Sequence, residues 1–250
     1  MKKKLIIGVI VLIVCVMGVM AFTSCNIKLS DMDGTENYDS TEKARSVELV
    51  NDLFEEMLND PDFVVTCTNK DNELQYTETV KGTDCYTLDK DGAETYAFKK
   101  GKVFYVATIS KNANGEEQRA YYCSDSTKSS YYAGNEADAM EKMYKDNYCS
   151  FLNDSIGAGV VNDLSEEGAT FHCIKHVERE SGYATSSLDF TYVSEGRTVT
   201  ITASAEEDLV KTLRVVITDA TENGRSSDLT WTFAYGGASV TLPDLDNWNE

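Results

Sequence analysis

The sequence predicts a mainly β protein of the α+β class, a curved antiparallel meander of about 11 strands wrapped around two or more amphipathic helices. Three observations predict it. Apolar and polar residues alternate at a period of two through most of the chain. Short clusters of Asn, Asp, Gly and Lys interrupt that alternation, and two stretches switch to a helical period. A sheet with one apolar face must curl around something to bury it, and amphipathic helices are what this chain supplies.

The amino-terminal segment sets the location. Lys2, Lys3 and Lys4 precede an unbroken apolar run over residues 5–22, and the small residues Thr23 and Ser24 stand directly before Cys25. Phe22-Thr23-Ser24-Cys25 resembles a bacterial lipobox, in which the cysteine is lipidated and becomes the new amino terminus, with Phe22 standing where Leu is usual. The run is also near the lower limit for a helix spanning a hydrocarbon core of about 30 Å. An uncleaved helical anchor is therefore the alternative, and both place the protein on the extracytoplasmic face of the cell membrane. The expected organisation is a signal peptide over 1–24, a lipidated (palmitate-bearing) Cys25 with a flexible tether over 25–39, and one domain over 40–250.

About 225 residues then remain, enough for one large β-rich domain. Hydrophobic residues make up 42 % of the chain, which excludes a disordered protein. Basic residues number 23 against 42 acidic, a net charge of −19 that becomes −22 without the three leading lysines. Such a surface repels nucleic acid and anionic headgroups, so no nucleic-acid partner is expected. Five cysteines follow Cys25, namely Cys67, Cys85, Cys123, Cys149 and Cys173. Their odd count and apolar strand contexts favour mostly free, buried thiols, with a single bridge such as Cys123 to Cys149 as the alternative.

Along the domain, Ser40 or Thr41 caps a helix whose face carries Ala44, Val47, Val50, Leu53, Phe54, Met57 and Leu58, and Asp60-Pro61 ends it. Strands follow over 63–68, 74–80, 85–88, 95–98, 103–109 and 118–124, joined by turns short enough to force antiparallel neighbours. Asp89-x-Asp91-Gly92 and Asn112-x-Asn114-Gly115 look like parts of a calcium loop. Phe98 and Tyr121 occupy the places a bidentate carboxylate would need, so hairpin turns are expected. A second helix spans 136–152, with Ala137, Met140, Tyr144, Tyr148, Phe151 and Leu152 on one face. Residues 153–168 then form a connection long enough for a mobile flap. The second strand series places Leu188, Phe190 and Tyr192 on one side. Val199, Ile201 and Ala203 continue that side, followed by Leu213, Val215 and Ile217, then Leu229, Trp231, Phe233 and Tyr235. The opposite face is expected to carry Thr, Lys, Asp and Glu.

This order of elements, with Lys100-Gly101-Lys102-Val103-Phe104-Tyr105 in the first series, resembles the bacterial half-barrel lipoproteins. So does the ending Leu229-Thr230-Trp231-Thr232-Phe233 followed by Val240-Thr241-Leu242-Pro243-Asp244. The family includes the carrier LolA, the LppX and LprG type and the sensor RseB. The resemblance covers residues 40–244 and implies a half-barrel whose apolar cavity, between sheet and helices, takes acyl chains.

No catalytic constellation accompanies the fold. His172 and His176 flank Cys173 in a strand-like stretch, where positions four apart lie about 13 Å from each other, so no metal site is expected. There is no G-x-S-x-G and no glycine-rich phosphate loop, and the acidic pairs Glu166-Glu167 and Glu206-Glu207 lie in polar, loop-like stretches. The expectation is a non-enzyme without cofactor, binding a lipid or other hydrophobic ligand among Phe54, Met57, Met140, Tyr144, Phe190, Tyr192, Trp231 and Phe233. The alternative is a sensor or interaction module that recognises an envelope protein through its acidic surface.

Overall fold

Three turns of one design space the first strands. Asn69, Asp89 and Asn112 each open a five-residue hairpin closed by Asn69 N–H to Glu73 O (3.0 Å), Asp89 N–H to Ala93 O (2.8 Å) and Asn112 N–H to Glu116 O (2.9 Å). The fourth residue of each, Asn72, Gly92 or Gly115, is left-handed, which Gly and Asn tolerate best. The Asn112 side-chain oxygen accepts from Asn114 N–H and Glu116 N–H, and Asn69 does the same for Asp71 N–H and Glu73 N–H. The two loops with calcium-like spelling are therefore hairpin turns.

The computed structural model describes residues 34–39, 57–125, 137–155, 170–180, 183–194, 196–207, 209–220 and 226–248. Its strands are β1 (Gly34–Asp39), β2 (Asp62–Asn69), β3 (Leu74–Lys81), β4 (Asp84–Asp89), β5 (Glu94–Lys100), β6 (Val103–Lys111) and β7 (Glu117–Cys123), then β8 (Thr170–Glu180), β9 (Tyr183–Ser194), β10 (Arg197–Glu206), β11 (Leu209–Asp219) and β12 (Ser227–Tyr235). Helices α1 (Ala137–Asn147) and α2 (Ser150–Ser155) stand between the two series, and residues 57–59 are also helical.

All twelve strands form one open antiparallel sheet in the order β1-β8-β9-β10-β11-β12-β2-β3-β4-β5-β6-β7. The two meanders thus meet edge to edge at β12 and β2, with Trp231 opposite Cys67, Phe233 opposite Val65 and Tyr235 opposite Phe63. The expected alternation holds in the second meander. Leu188, Phe190, Val199, Ile201, Ala203, Leu213, Val215, Trp231 and Phe233 are buried, while Thr202, Arg214 and Thr232 between them are exposed.

Three features depart from the sequence reading. Part of the expected tether is strand: β1 pairs with β8, Thr35 opposite His176. Its polar composition fits a sheet edge, where few side chains need an apolar neighbour. The second helix is broken rather than continuous over 136–152, because Cys149 lies between α1 and α2 with φ at 53°. The outer face is not polar throughout. Tyr96, Phe98, Tyr105, Ala107, Tyr121 and Cys123 form a second core with Leu245, and Leu242 and Trp248 pack against it. The carboxy-terminal segment therefore straps the outer side of β5–β7, while α1 packs on β5 and β6 from within.

Candidate functional site: the inner face and its buried carboxylate

The inner core gathers residues from both meanders, including Met57, Phe63, Val65, Tyr144, Phe151, Phe190, Trp231 and Phe233. Phe63, Phe151 and Phe233 pack edge to face with ring centroids 5.3–6.2 Å apart, the arrangement aromatic quadrupoles favour. Of the eight residues nominated for ligand contact, Met57, Tyr144, Phe190, Trp231 and Phe233 are brought together here. Met140 on α1 is buried outside that cluster. Tyr192 is placed on β9 by its backbone alone, opposite Val199. Phe54 and Cys25 lie outside the described residues, as does most of the connection expected over 153–168.

The polar tips within this face are all used. Trp231 Nε1 donates to the Tyr76 hydroxyl at 2.7 Å, and Tyr235 donates to Val210 O at 2.6 Å. Tyr144 donates to Thr83 O at 3.0 Å, which ties α1 to the β3–β4 turn. Burial pushes the Tyr144, Tyr148 and Tyr235 phenols up, so they stay neutral donors at any physiological pH.

Glu78 is the feature sequence reading missed. It projects inward from β3 and is fully buried. Its Oε1 accepts from Ser150 N–H (3.0 Å) and the Cys85 thiol (3.3 Å). Oε2 accepts from the Ser150 hydroxyl (2.7 Å) and Phe151 N–H (3.3 Å). The carboxylate therefore satisfies the first N–H groups of α2 from across the sheet, a cap supplied by another element. Desolvation raises its pKa, and the four donors oppose that rise. A signal was present: Tyr76, Glu78 and Val80 share one parity in a strand, so period two alone turns Glu78 inward.

The break at Cys149 is what aims α2 at Glu78. A non-glycine residue in the left-handed region costs about 1–2 kcal/mol, here offset by the three contacts from Ser150 and Phe151 that the turn makes available. Cys67, Cys85, Cys123 and Cys149 are all buried, and Cys85 and Cys149 stand outside any disulfide. The alternative bridge from Cys123 to Cys149 does not form, because Cys149 belongs to the inner core and Cys123 to the outer one. Burial also pushes the Cys85 and Cys149 thiols well up, leaving little thiolate for catalysis.

Among the described residues the outer face carries a groove of about 280 Å³, lined by His176, Glu178, Thr185, Ser187, Ser204 and Lys211 among others. His176 joins the Thr35 hydroxyl at 2.7 Å through Nδ1 and Glu178 at 3.0 Å through Nε2. This row has the order of a hydrolase triad but lies open to water, with the Glu178 side chain 73 % exposed. Water there competes for each hydrogen bond and screens the charge, so the row serves to tie edge strand β1 to β8. Both histidines fall in β8, His172 opposite Asp39 and His176 opposite Thr35. Glu206 and Glu207 are separated in role: Glu206 pairs with Lys211, and Glu207 accepts from Ala184 N–H.

Among the described residues, no three His, Cys, Asp or Glu side chains converge to hold a metal ion, and no helix is long and apolar enough to cross a membrane. Compared with protein-family models, curated proteins and solved structures, the chain matches none of them.

Proposed function

We propose that this chain is a membrane-anchored extracytoplasmic lipoprotein whose sheet curls into a half-barrel and holds a lipid or other hydrophobic ligand between its apolar face and the helices. The observation that carries the reading is the uninterrupted inner face. It runs from Phe190 on β9 through Trp231 and Phe233 to Phe63 and Val65 on β2, and α1 and α2 cover its far end. A twelve-stranded antiparallel sheet with one such face is the scaffold that enclosure of an acyl chain requires. The apolar segment ending at Cys25 supplies the anchor, by lipidation of that cysteine or as a retained helix.

Binding here is enclosure rather than chemistry. Phe190, Trp231 and Phe233 supply the apolar wall, and Met57 supplies an adaptable sulfur-bearing side chain along the helical side. The experiment is native mass spectrometry of the full chain extracted from its own membrane. A lipid retained in roughly one-to-one ratio is the expected result, reduced when Phe190→Trp enlarges a side chain of that wall. An empty protein that also fails to take up a fluorescent fatty acid would overturn the reading.

A further inference from the structure

The buried group around Glu78 brings two cysteines close to one carboxylate. Cys85 on β4 donates its S–H to Glu78 Oε1 at 3.3 Å, and the same oxygen accepts from Ser150 N–H at 3.0 Å. Cys149 is the residue immediately before Ser150, so the chain carries both cysteines to the same buried carboxylate. Both residues are buried in the inner core and both are free. Cys149 also sits where a left-handed helix end ordinarily selects Gly or Asn, so its side chain gains nothing conformationally.

We propose that Cys85 and Cys149 are a disulfide site, a redox latch that bolts α2 covalently to β4. The proposal takes its oxidising surroundings from the extracytoplasmic location, although its chemistry stands apart from any ligand. The oxidant is a small or protein disulfide. The Cys85 proton passes to Glu78, the thiolate attacks the incoming disulfide, and one thiol leaves. Cys149 then gives up its proton and displaces the second thiol, closing the Cys85–Cys149 bond. Two electrons pass to the oxidant, which is released as two thiols carrying the two protons the cysteines gave up, relayed through Glu78 and solvent. In the reduced form α2 is held by hydrogen bonds and by the packing of Phe151; in the oxidised form it cannot lift from the sheet. The inner face below it is thereby open to rearrangement in one state and locked in the other.

The test uses the full chain in detergent, reduced and then incubated with glutathione disulfide at a series of temperatures below its unfolding transition. Intact mass after denaturation should fall by about 2 Da, and peptide mapping should join Cys85 to Cys149. Amide exchange at Ser150 and Phe151 should slow by about tenfold or more on oxidation, and neither Cys85→Ser nor Cys149→Ser should show the change. A bridge to Cys67, Cys123 or Cys173 instead would overturn the proposal, as would Cys85 and Cys149 remaining fully alkylatable at every temperature. Lipid content is not read in this experiment, so an empty interior with a formed bridge would sink the ligand reading alone.

Discussion

The two meanders bury their strands differently. In the first, β2–β7 are 6–9 residues long and joined by tight Asx-supported turns. Its β5–β7 end is covered on both sides, by α1 within and by Leu242, Leu245 and Trp248 without. In the second, β8–β12 are 9–12 residues long, apolar on one face and lined on the other with Thr, Ser and charged pairs. The first half therefore behaves as a doubly packed block and the second as a long, one-sided wall. A wall that is solvated on its outer side can change curvature without exposing a second core, whereas the block cannot. The wall is accordingly the half suited to adjusting around a ligand.

The seam between the halves is the place to break the comparison most severely. Trp231 is fully buried, faces Cys67 across the β12–β2 pair, and donates to Tyr76 on β3. Replacing it by Ala removes the largest side chain in the core and its hydrogen bond to the Tyr76 hydroxyl, an expected loss of about 4 kcal/mol in a urea titration. If the halves are coupled through this seam, the transition should lose cooperativity and split, the block outlasting the wall. A single transition merely displaced to lower urea would show that the coupling lies elsewhere.

The next effect belongs to the block. Glu78→Ala leaves three hydrogen-bond donors at Ser150 and Phe151 unmatched in the core and should cost about 3 kcal/mol. Its pH dependence has a definite sign. Burial raises the folded-state pKa above the unfolded one, so the folded protein holds this proton more tightly. The protonated form therefore adds stability that is complete below the ordinary Glu value of about 4.3 and fades as pH rises through the higher folded value. Thermal melts at several pH values should show the wild-type advantage over Glu78→Gln growing as pH falls from neutrality. An advantage independent of pH would mean that Glu78 keeps its charge throughout.

The same contrast explains what the sequence made legible. In the wall, strict alternation such as Leu188, Phe190 and Val199, Ile201, Ala203 reports a one-sided sheet directly, and burial follows it residue by residue. The turn residues at 69–73, 89–93 and 112–116 were equally readable, because Asx side chains and left-handed Gly or Asn are local requirements. What escaped depends on partners distant in the chain. The 103–107 stretch, Val-Phe-Tyr-Val-Ala, is apolar at both parities, which is how a strand buried on two faces reads. Its outer cover lies more than a hundred residues later, at Leu242 and Leu245. The β12–β2 seam and the Glu78 cap on α2 are likewise pairings between remote segments. β1 had no apolar face to announce it, being a polar strand at the edge.

The smallest expected effect tests whether the wall's outer face is as loosely committed as its solvation implies. Arg214 on β11 holds Asp228 on β12 through two bonds, Nε to Oδ1 at 2.9 Å and Nη2 to Oδ2 at 2.8 Å. The guanidinium keeps the Asp228 carboxyl below its usual range. The pair therefore contributes stability above the unfolded Asp value of about 3.9 and loses it as pH falls through the lower folded value. The Arg214 side chain is 56 % exposed, so solvent and salt screen most of the attraction. Arg214→Ala should lower Tm by only about 1–2 °C, and the difference should vanish in high salt or once the pH has fallen through the lowered Asp228 value. A loss several times larger and insensitive to salt would mean that this face is bound as firmly as the block. The wall would then have no freedom to change curvature, and adjustment around a ligand would have to come from the helices.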